Sequence, residues 1–208
     1  MKFNSHPEVD GKHSFLSPSG YHWIRYDDDK ILDRLDTQMM AAHGTRLHAL
    51  AAELIACGIL LPDNGQTLSL YVNDAIGFMM SPEVLLLASY NAFGTADAIS
   101  FRRERPTDKK LTLRIHDLKT GSGKTSMDQL RIYAAFFCIE YQVNPNDIDI
   151  ELRIYQNDDV YSLGTDDGTE EGENLRADVL TIMGRTEHFD SIITERRREA
   201  LQLSISVN

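Results

Sequence analysis

The sequence predicts an α/β protein in which a central mixed β-sheet is flanked by helices. Segments with strand-like patterns are concentrated between about residues 84 and 155, and segments with helical patterns lie on both sides of them. Strands grouped in the middle of a chain with helices before and after them are typical of a sheet covered by helices. The length of 208 residues suits one compact domain.

Helical segments come first. Ser17 is a good N-cap directly before a proline, which predicts a short helix after it. Apolar residues recur at helical spacing over residues 36–57, and Gly58 stands where a C-terminal cap belongs. Gly44 interrupts this pattern, which leaves two alternatives: the helix begins there, or the backbone approaches another element closely. Residues 68–80 predict a second helix.

Strand patterns follow in the middle of the chain. Residues 84–90 form an apolar run, and residues 94–101 form a shorter mixed one. Residues 111–116 alternate apolar and polar side chains, as a strand with one buried face does. An amphipathic helix is predicted over residues 127–141 and another alternating strand over residues 148–155.

The last part of the chain predicts a loop and a helix. Residues 158–173 contain seven acids and no Lys or Arg, and we interpret them as a Gly-rich acidic loop. A helical region follows to about residue 203. We therefore predict one domain, 1–208, with a helical part at about 16–80, the sheet and its helix at about 83–156, and a C-terminal helical region at about 174–204.

Composition excludes several classes of protein. No apolar run approaches the length of about 20 residues that a membrane span needs. The first residues lack the basic and apolar segments of a secretory signal, and two cysteines are too few for a disulfide framework or a four-thiolate cluster. We expect an intracellular protein without a membrane partner.

The net charge of -11 argues against general coating of nucleic acid, yet the charge is unevenly distributed. Residues 102–131 contain nine basic and four acidic residues. Such a segment is typical of a small anion-binding face on an acidic protein, or of a solvated loop with mixed charges.

An acid and a lysine end the strand at residues 111–116. Asp117 and Lys119 are two positions apart, so they project from one face of the strand. The ordinary explanation is an ion pair, or a strand end that is already in water. The alternative is that Asp117 is a metal ligand and that Lys119 acts on a nucleophilic water beside it. Asp97 lies on the preceding strand, and a hairpin would bring it beside Asp117. Two carboxylates suit Mg²⁺ or Mn²⁺.

Four blocks of the sequence resemble, in their order, the PD-(D/E)XK nucleases, and within them the RecB-like branch with its phage-encoded exonucleases. The blocks are Gly44-Thr45-Arg46-Leu47-His48, Gly94-Thr95-Ala96-Asp97, Asp117-Leu118-Lys119-Thr120-Gly121 and Gln129-Leu130-Arg131-Ile132-Tyr133. The resemblance spans roughly residues 16–133. It implies a metal-dependent DNA nuclease, an exonuclease of phage DNA recombination or processing, in the cytoplasm of a bacterial host.

The resemblance also implies roles for single residues. Asp97 and Asp117 would be metal ligands, His48 would reach the same ion, and the backbone carbonyl of Leu118 would join them. Lys119 would position the attacking water and offset charge in the transition state. The cofactor would be Mg²⁺ or Mn²⁺, without the iron-sulfur cluster of some relatives, because its cysteines are absent.

Further residues would bind the substrate. Gln129 and Tyr133, four apart on one helical face, match the helix motif that borders the active site of this branch. We expect contacts to DNA phosphates from a second group of residues, which are Thr120, Ser122, Lys124 and Arg131. A single-strand-binding or annealing protein and a second copy of the chain are further candidate partners.

Two alternatives stay open. Gly121-Ser122-Gly123-Lys124-Thr125 ends like a phosphate-binding P-loop, which would make the chain a nucleotide-binding protein that uses Lys124 and Thr125. Leu118 stands where that motif requires its first glycine. The other alternative is a catalytically inactive relative that binds DNA or a partner.

Overall fold

Four α-helices and five β-strands make up the part of the chain that the structure, a computed structural model, describes, namely Pro7 and residues 14–206. In chain order they are α1 (Asp28–Cys57), α2 (Thr67–Gly77), β1 (Ser81–Ser89), β2 (Ala92–Arg102), β3 (Thr112–Leu118), α3 (Asp128–Glu140), β4 (Asp149–Gln156), β5 (Asp159–Gly164) and α4 (Glu170–Ser206). The chain falls into two compact units, residues 1–45 and residues 46–208. The second unit holds the whole sheet.

The strands follow chain order in a single mixed sheet, β1-β2-β3-β4-β5. The pairs β1–β2, β2–β3 and β4–β5 are antiparallel, and β3 and β4 are parallel because α3 carries the chain back between them. The predicted fold class, an α/β protein with a mixed sheet flanked by helices, is confirmed. The predicted hairpin of β2 and β3, with a long connection, is confirmed as well.

Helices cover both faces of the sheet. Leu113 and Ile115 of β3 pack with α3 in one apolar cluster, whereas Leu118 packs with α2 in another. All seven residues of β3 are therefore buried, so the prediction that this strand has one exposed face is wrong. The alternation of apolar and polar residues misled us because Arg114 and His116 find polar partners inside the protein.

The first long helix is longer than predicted. It begins at Asp28 instead of about residue 36, because the Asp27 carboxylate accepts the N–H of Lys30 at 2.8 Å and caps the helix. It runs without interruption through Gly44, which is buried, so the helix does not begin there. Gly58, at φ 65°, ends the helix as predicted; its N–H and that of the next residue donate to carbonyls of the last turn.

The shorter helices lie where the sequence predicts them. A 3₁₀ helix over Pro18–Arg25 replaces the short helix expected after Ser17. The Ser17 hydroxyl caps none of its N–H groups; the Ser17 carbonyl instead accepts the indole N–H of Trp23 at 3.1 Å. The bounds predicted for α2 and α3, residues 68–80 and 127–141, differ from the observed ones by three residues or fewer.

The strand β5 and the first residues of α4 replace most of the expected acidic loop, so the prediction of a loop over residues 158–173 is wrong. Asn157 and Asp158 adopt φ values of 53° and 61° and form a two-residue turn between β4 and β5. Turns with two positive φ values match the twist of a hairpin, and Asn and Asp tolerate them. The Leu163 side chain packs into the core, while the acids at both ends of β5 stay outside.

The C-terminal helix α4 supports the sheet from the side of α3. Leu175 and Val179 are fully buried against it. Farther along α4, the Asp190 carboxylate accepts the side-chain N–H of Asn91 at 2.8 Å, in the turn between β1 and β2. Within residues 14–206, none of the helices combines the length and the apolar composition that crossing a membrane requires.

We expect replacement of Ile115 by Ala to destabilise the fold by about 2 to 5 kcal/mol, because it leaves a cavity in the middle of the sheet. Ile115 is fully buried. Urea unfolding would measure the loss. Leu85→Ala on β1 is the control, since Leu85 is 56% exposed and its replacement should change stability by less than about 0.5 kcal/mol. Equal losses in the two variants would contradict this description of the core.

Candidate metal and catalytic site

The pairing of β2 with β3 brings the two predicted aspartates together. Ala98 pairs with His116, so Asp97 and Asp117 are the next residues along the two antiparallel strands. The carboxylate of Asp97 accepts the backbone N–H of Leu118 at 2.9 Å, which ties the end of β3 to β2. This register provides the closeness that the sequence predicted for the two acids.

His48 reaches the same place from α1. It lies one turn before Ala51 and two turns before Ile55, both of which are buried, so the three side chains share one face of the helix. The Nδ1 atom of His48 is 3.3 Å from an Asp97 carboxylate oxygen. The structure thus brings His48 and Asp97 together, as the sequence predicted.

Glu83 is a site residue that the sequence analysis missed. His48, Glu83 and Asp97 each offer one ligand atom, and these three atoms lie within 4.8 Å of one another. The residues before and after Glu83 pair with residues of β2, but Glu83 itself is left out of this pairing. Its backbone has φ 50°. The available signal was a single acid directly before the apolar run of residues 84–90, to which the sequence analysis assigned no role.

The three side chains form a set of ligands that suits a divalent cation. Two carboxylates and an imidazole are ligands that Mn²⁺ accepts, and the carboxylates also suit Mg²⁺. Asp117, predicted as a ligand, lies outside the trio of His48, Glu83 and Asp97. Its two carboxylate oxygens are 3.1 and 3.0 Å from the amine of Lys119.

Negative charge is crowded at this site. Burial raises the pKa of Asp117, and the charge of Asp97 raises it further against the opposing effect of Lys119. Burial and Asp97 also raise the pKa of Glu83. A hydrogen bond to Asp97 raises the pKa of His48, which burial opposes. Each shift favours the protonated form of its group, and the negative charge of Asp97 contributes to all three.

A chain of hydrogen bonds leads from Asp117 to α3. The Lys119 amine donates to the side-chain carbonyl of Gln129 at 2.8 Å, and the Gln129 amide donates to the Tyr133 hydroxyl at 3.3 Å. Gln129 and Tyr133 share one face of α3, as predicted, and this face meets the end of β3. Lys119 is therefore held between a carboxylate and an amide.

The loop after Lys119 borders a cavity of about 410 Å³ next to the amine. Thr120, Ser122 and Lys124 are exposed in this loop. The Gln156 amide donates to the carbonyls of Gly121 and Gly123, the latter at 2.9 Å. The loop is thus fixed from β4 while its polar side chains face the solvent.

Arg131 does not lie with this group. Its guanidinium contacts three carboxylates, those of Asp128, Glu171 and Asp178, and so joins α3 to α4. Another basic residue of the segment 102–131 is also engaged internally, because Arg114 is 3% exposed and pairs with glutamates. The basic segment is therefore not one continuous exposed face.

His116 belongs to a separate polar network on the other face of β3. It is fully buried, with Nδ1 3.2 Å from the Tyr155 hydroxyl, which donates to Asp74 at 2.7 Å. Burial lowers the pKa of His116, so the ring is neutral near pH 7. His116 is therefore a structural residue of the buried core.

Comparison of the chain with protein-family models, with curated proteins and with solved structures finds no match. Membership of the RecB-like nucleases therefore stays a prediction, and the functional argument depends on the geometry described above.

We expect the ion pair between His48 and Asp97 to stabilise the metal-free protein at low pH only. Because the pKa of His48 is raised above its ordinary 6.5, the stabilisation is complete below that value and is lost as the pH rises through the raised pKa. The free energy of unfolding of the wild type, relative to that of His48→Gln, should therefore fall as the pH rises above about 6.5 through the raised pKa of His48. His43→Gln, an exposed histidine on α1, is the control. A difference that does not vary with pH would contradict the pairing.

Proposed function

We propose that this protein is a metal-dependent nuclease that hydrolyses phosphodiester bonds of DNA. Two neighbouring features support the proposal. The ligand atoms of His48, Glu83 and Asp97 lie close together. Beside them, Asp117 pairs with Lys119. A cation site beside a fixed amine is what attack of water on a phosphodiester requires.

The cation would be held by His48, Glu83 and Asp97, and it would supply Lewis-acid stabilisation of the phosphate and a more acidic water. Water adds to phosphorus, the bond to the leaving oxygen breaks, and a proton reaches that oxygen. Lys119 donates hydrogen bonds to the oxygens on which negative charge increases, while the contact with Asp117 holds the amine in place. The Leu118 carbonyl stays a predicted further ligand.

The substrate would reach this site along the exposed loop after β3. Thr120, Ser122 and Lys124 are exposed and can contact phosphates without reading the base sequence. Lys124 also lines the cavity next to Lys119. Because such binding releases counterions, salt should weaken it. In this proposal the protein acts on phage DNA in the cytoplasm of a bacterial host, as an exonuclease.

The nucleotide-binding alternative has no comparable support. Helix α3 begins at Asp128, three residues after Thr125, so Gly123 and Lys124 do not open a helix. A P-loop places a helix N-terminus and backbone N–H groups on the phosphates.

Cleavage of end-labelled linear DNA with Mg²⁺ or Mn²⁺ tests the proposal. Asp117→Asn and Lys119→Ala should each lower the rate by about 100-fold or more, since each removes electrostatic stabilisation that is already in place. Lys109→Ala is the matched control, because Lys109 is exposed in the loop between β2 and β3. The proposal fails if the wild type cleaves no DNA with either metal, or if both variants cleave as fast as the wild type.

Binding of Mn²⁺, followed by electron paramagnetic resonance, tests the ligand set without DNA. We expect Glu83→Gln to weaken Mn²⁺ binding by at least about tenfold, because a carboxylate ligand is lost. Glu53→Gln is the matched control; Glu53 is exposed on α1, away from the cluster. Equal Mn²⁺ affinity of Glu83→Gln and the wild type would remove Glu83 from the site.

A further inference from the structure

Gly94 lies in β2 directly beneath the ring of Tyr133. A Cβ atom at position 94 would be 3.0 Å from the Tyr133 Cε1 atom, which is closer than most Cβ contacts in proteins, so the ring would have to shift. The backbone of Gly94 is not in the left-handed region, so no turn or strain requires glycine there. Glycine weakens a strand interior, which indicates that the missing side chain has a packing purpose.

The position of the Tyr133 ring affects the amine of Lys119 through two contacts. The Tyr133 hydroxyl accepts from the Gln129 amide at 3.3 Å, and Gln129 accepts from Lys119 at 2.8 Å. Lys119 is 32% exposed, so packing alone does not fix its flexible side chain. Its position therefore depends on the ion pair with Asp117 and on these hydrogen bonds.

We propose that Gly94 is a positioning residue for Lys119. The absence of a side chain at position 94 lets the Tyr133 ring lie against β2, where its hydroxyl orients Gln129 and, through Gln129, the amine. A methyl group at position 94 displaces the ring and releases the amine. The effect on the amine is independent of the reaction, whereas any consequence for cleavage rests on the proposed nuclease function.

Chemical labelling of lysine measures this effect without DNA. Brief treatment with acetic anhydride, followed by mass spectrometry, gives the acetylation rate of Lys119 relative to that of Lys109, which is exposed. In Gly94→Ala, Lys119 should be acetylated about fivefold faster than in the wild type, the factor that corresponds to one lost hydrogen bond. Thr95→Ala, at the exposed neighbour on β2, should leave the rate unchanged. An unchanged Lys119 rate in Gly94→Ala overturns the proposal.

A double-mutant comparison tests whether Gly94 acts through Tyr133. Tyr133→Ala removes the ring, so adding Gly94→Ala to it should not increase the acetylation of Lys119 further. A further increase in the double variant shows another route and overturns the proposal. Tyr133→Phe keeps the ring and removes the hydroxyl; it should also release Lys119, and an unchanged rate contradicts the chain of contacts.

Thermal unfolding separates positioning from support of the fold. Alanine suits a strand better than glycine, and displacement of the Tyr133 ring opposes that gain, so Gly94→Ala should unfold close to the wild-type temperature while Lys119 is released. If Gly94→Ala does not fold, the double variant Gly94→Ala/Tyr133→Ala is the further test. Folding of the double variant supports the steric contact between position 94 and Tyr133, and failure of the double variant to fold overturns the proposal. If the wild type cleaves no DNA, the proposed function fails, yet the labelling rates still decide the role of Gly94.

Discussion

The antiparallel pairing of β2 with β3 is the constraint on which the site depends. It places Asp97 next to Asp117 and lets one Asp97 oxygen accept the N–H of Leu118. The same carboxylate faces His48. A shift of one residue in this register would turn the aspartate of β3 to the opposite face of the sheet. Because helices bury both faces, the apolar side chains of β3 fix the register and, through it, the geometry of the candidate site.

Much of the fold follows from the sequence because its patterns are local. Gly58 ends α1 through its own backbone freedom, and the apolar spacing of α3 is the spacing of one helical face. The strand β5 was missed because seven acids outweighed the turn formed by Asn157 and Asp158. Charge at the ends of a short edge strand is compatible with pairing, which composition alone does not indicate.

The candidate site was predicted only where its residues share an element or adjacent strands. Spacing along one strand or helix relates Asp117 to Lys119 and Gln129 to Tyr133, and the structure keeps both pairs in contact. Glu83 joins the cluster through tertiary packing and an unusual backbone conformation, so no spacing marks it. Arg131 matched the expected composition, but its partners on α4 are distant in sequence.

The backbone at Glu83 has a consequence for how this chain can change. A residue other than glycine with φ 50° carries a conformational cost of about 1 kcal/mol or more. Glycine at position 83 would remove that cost and also remove the carboxylate. Selection for stability and selection for the proposed cation site would therefore oppose each other at this position. If evolution nevertheless keeps a glutamate at this position, its function explains this and stability does not.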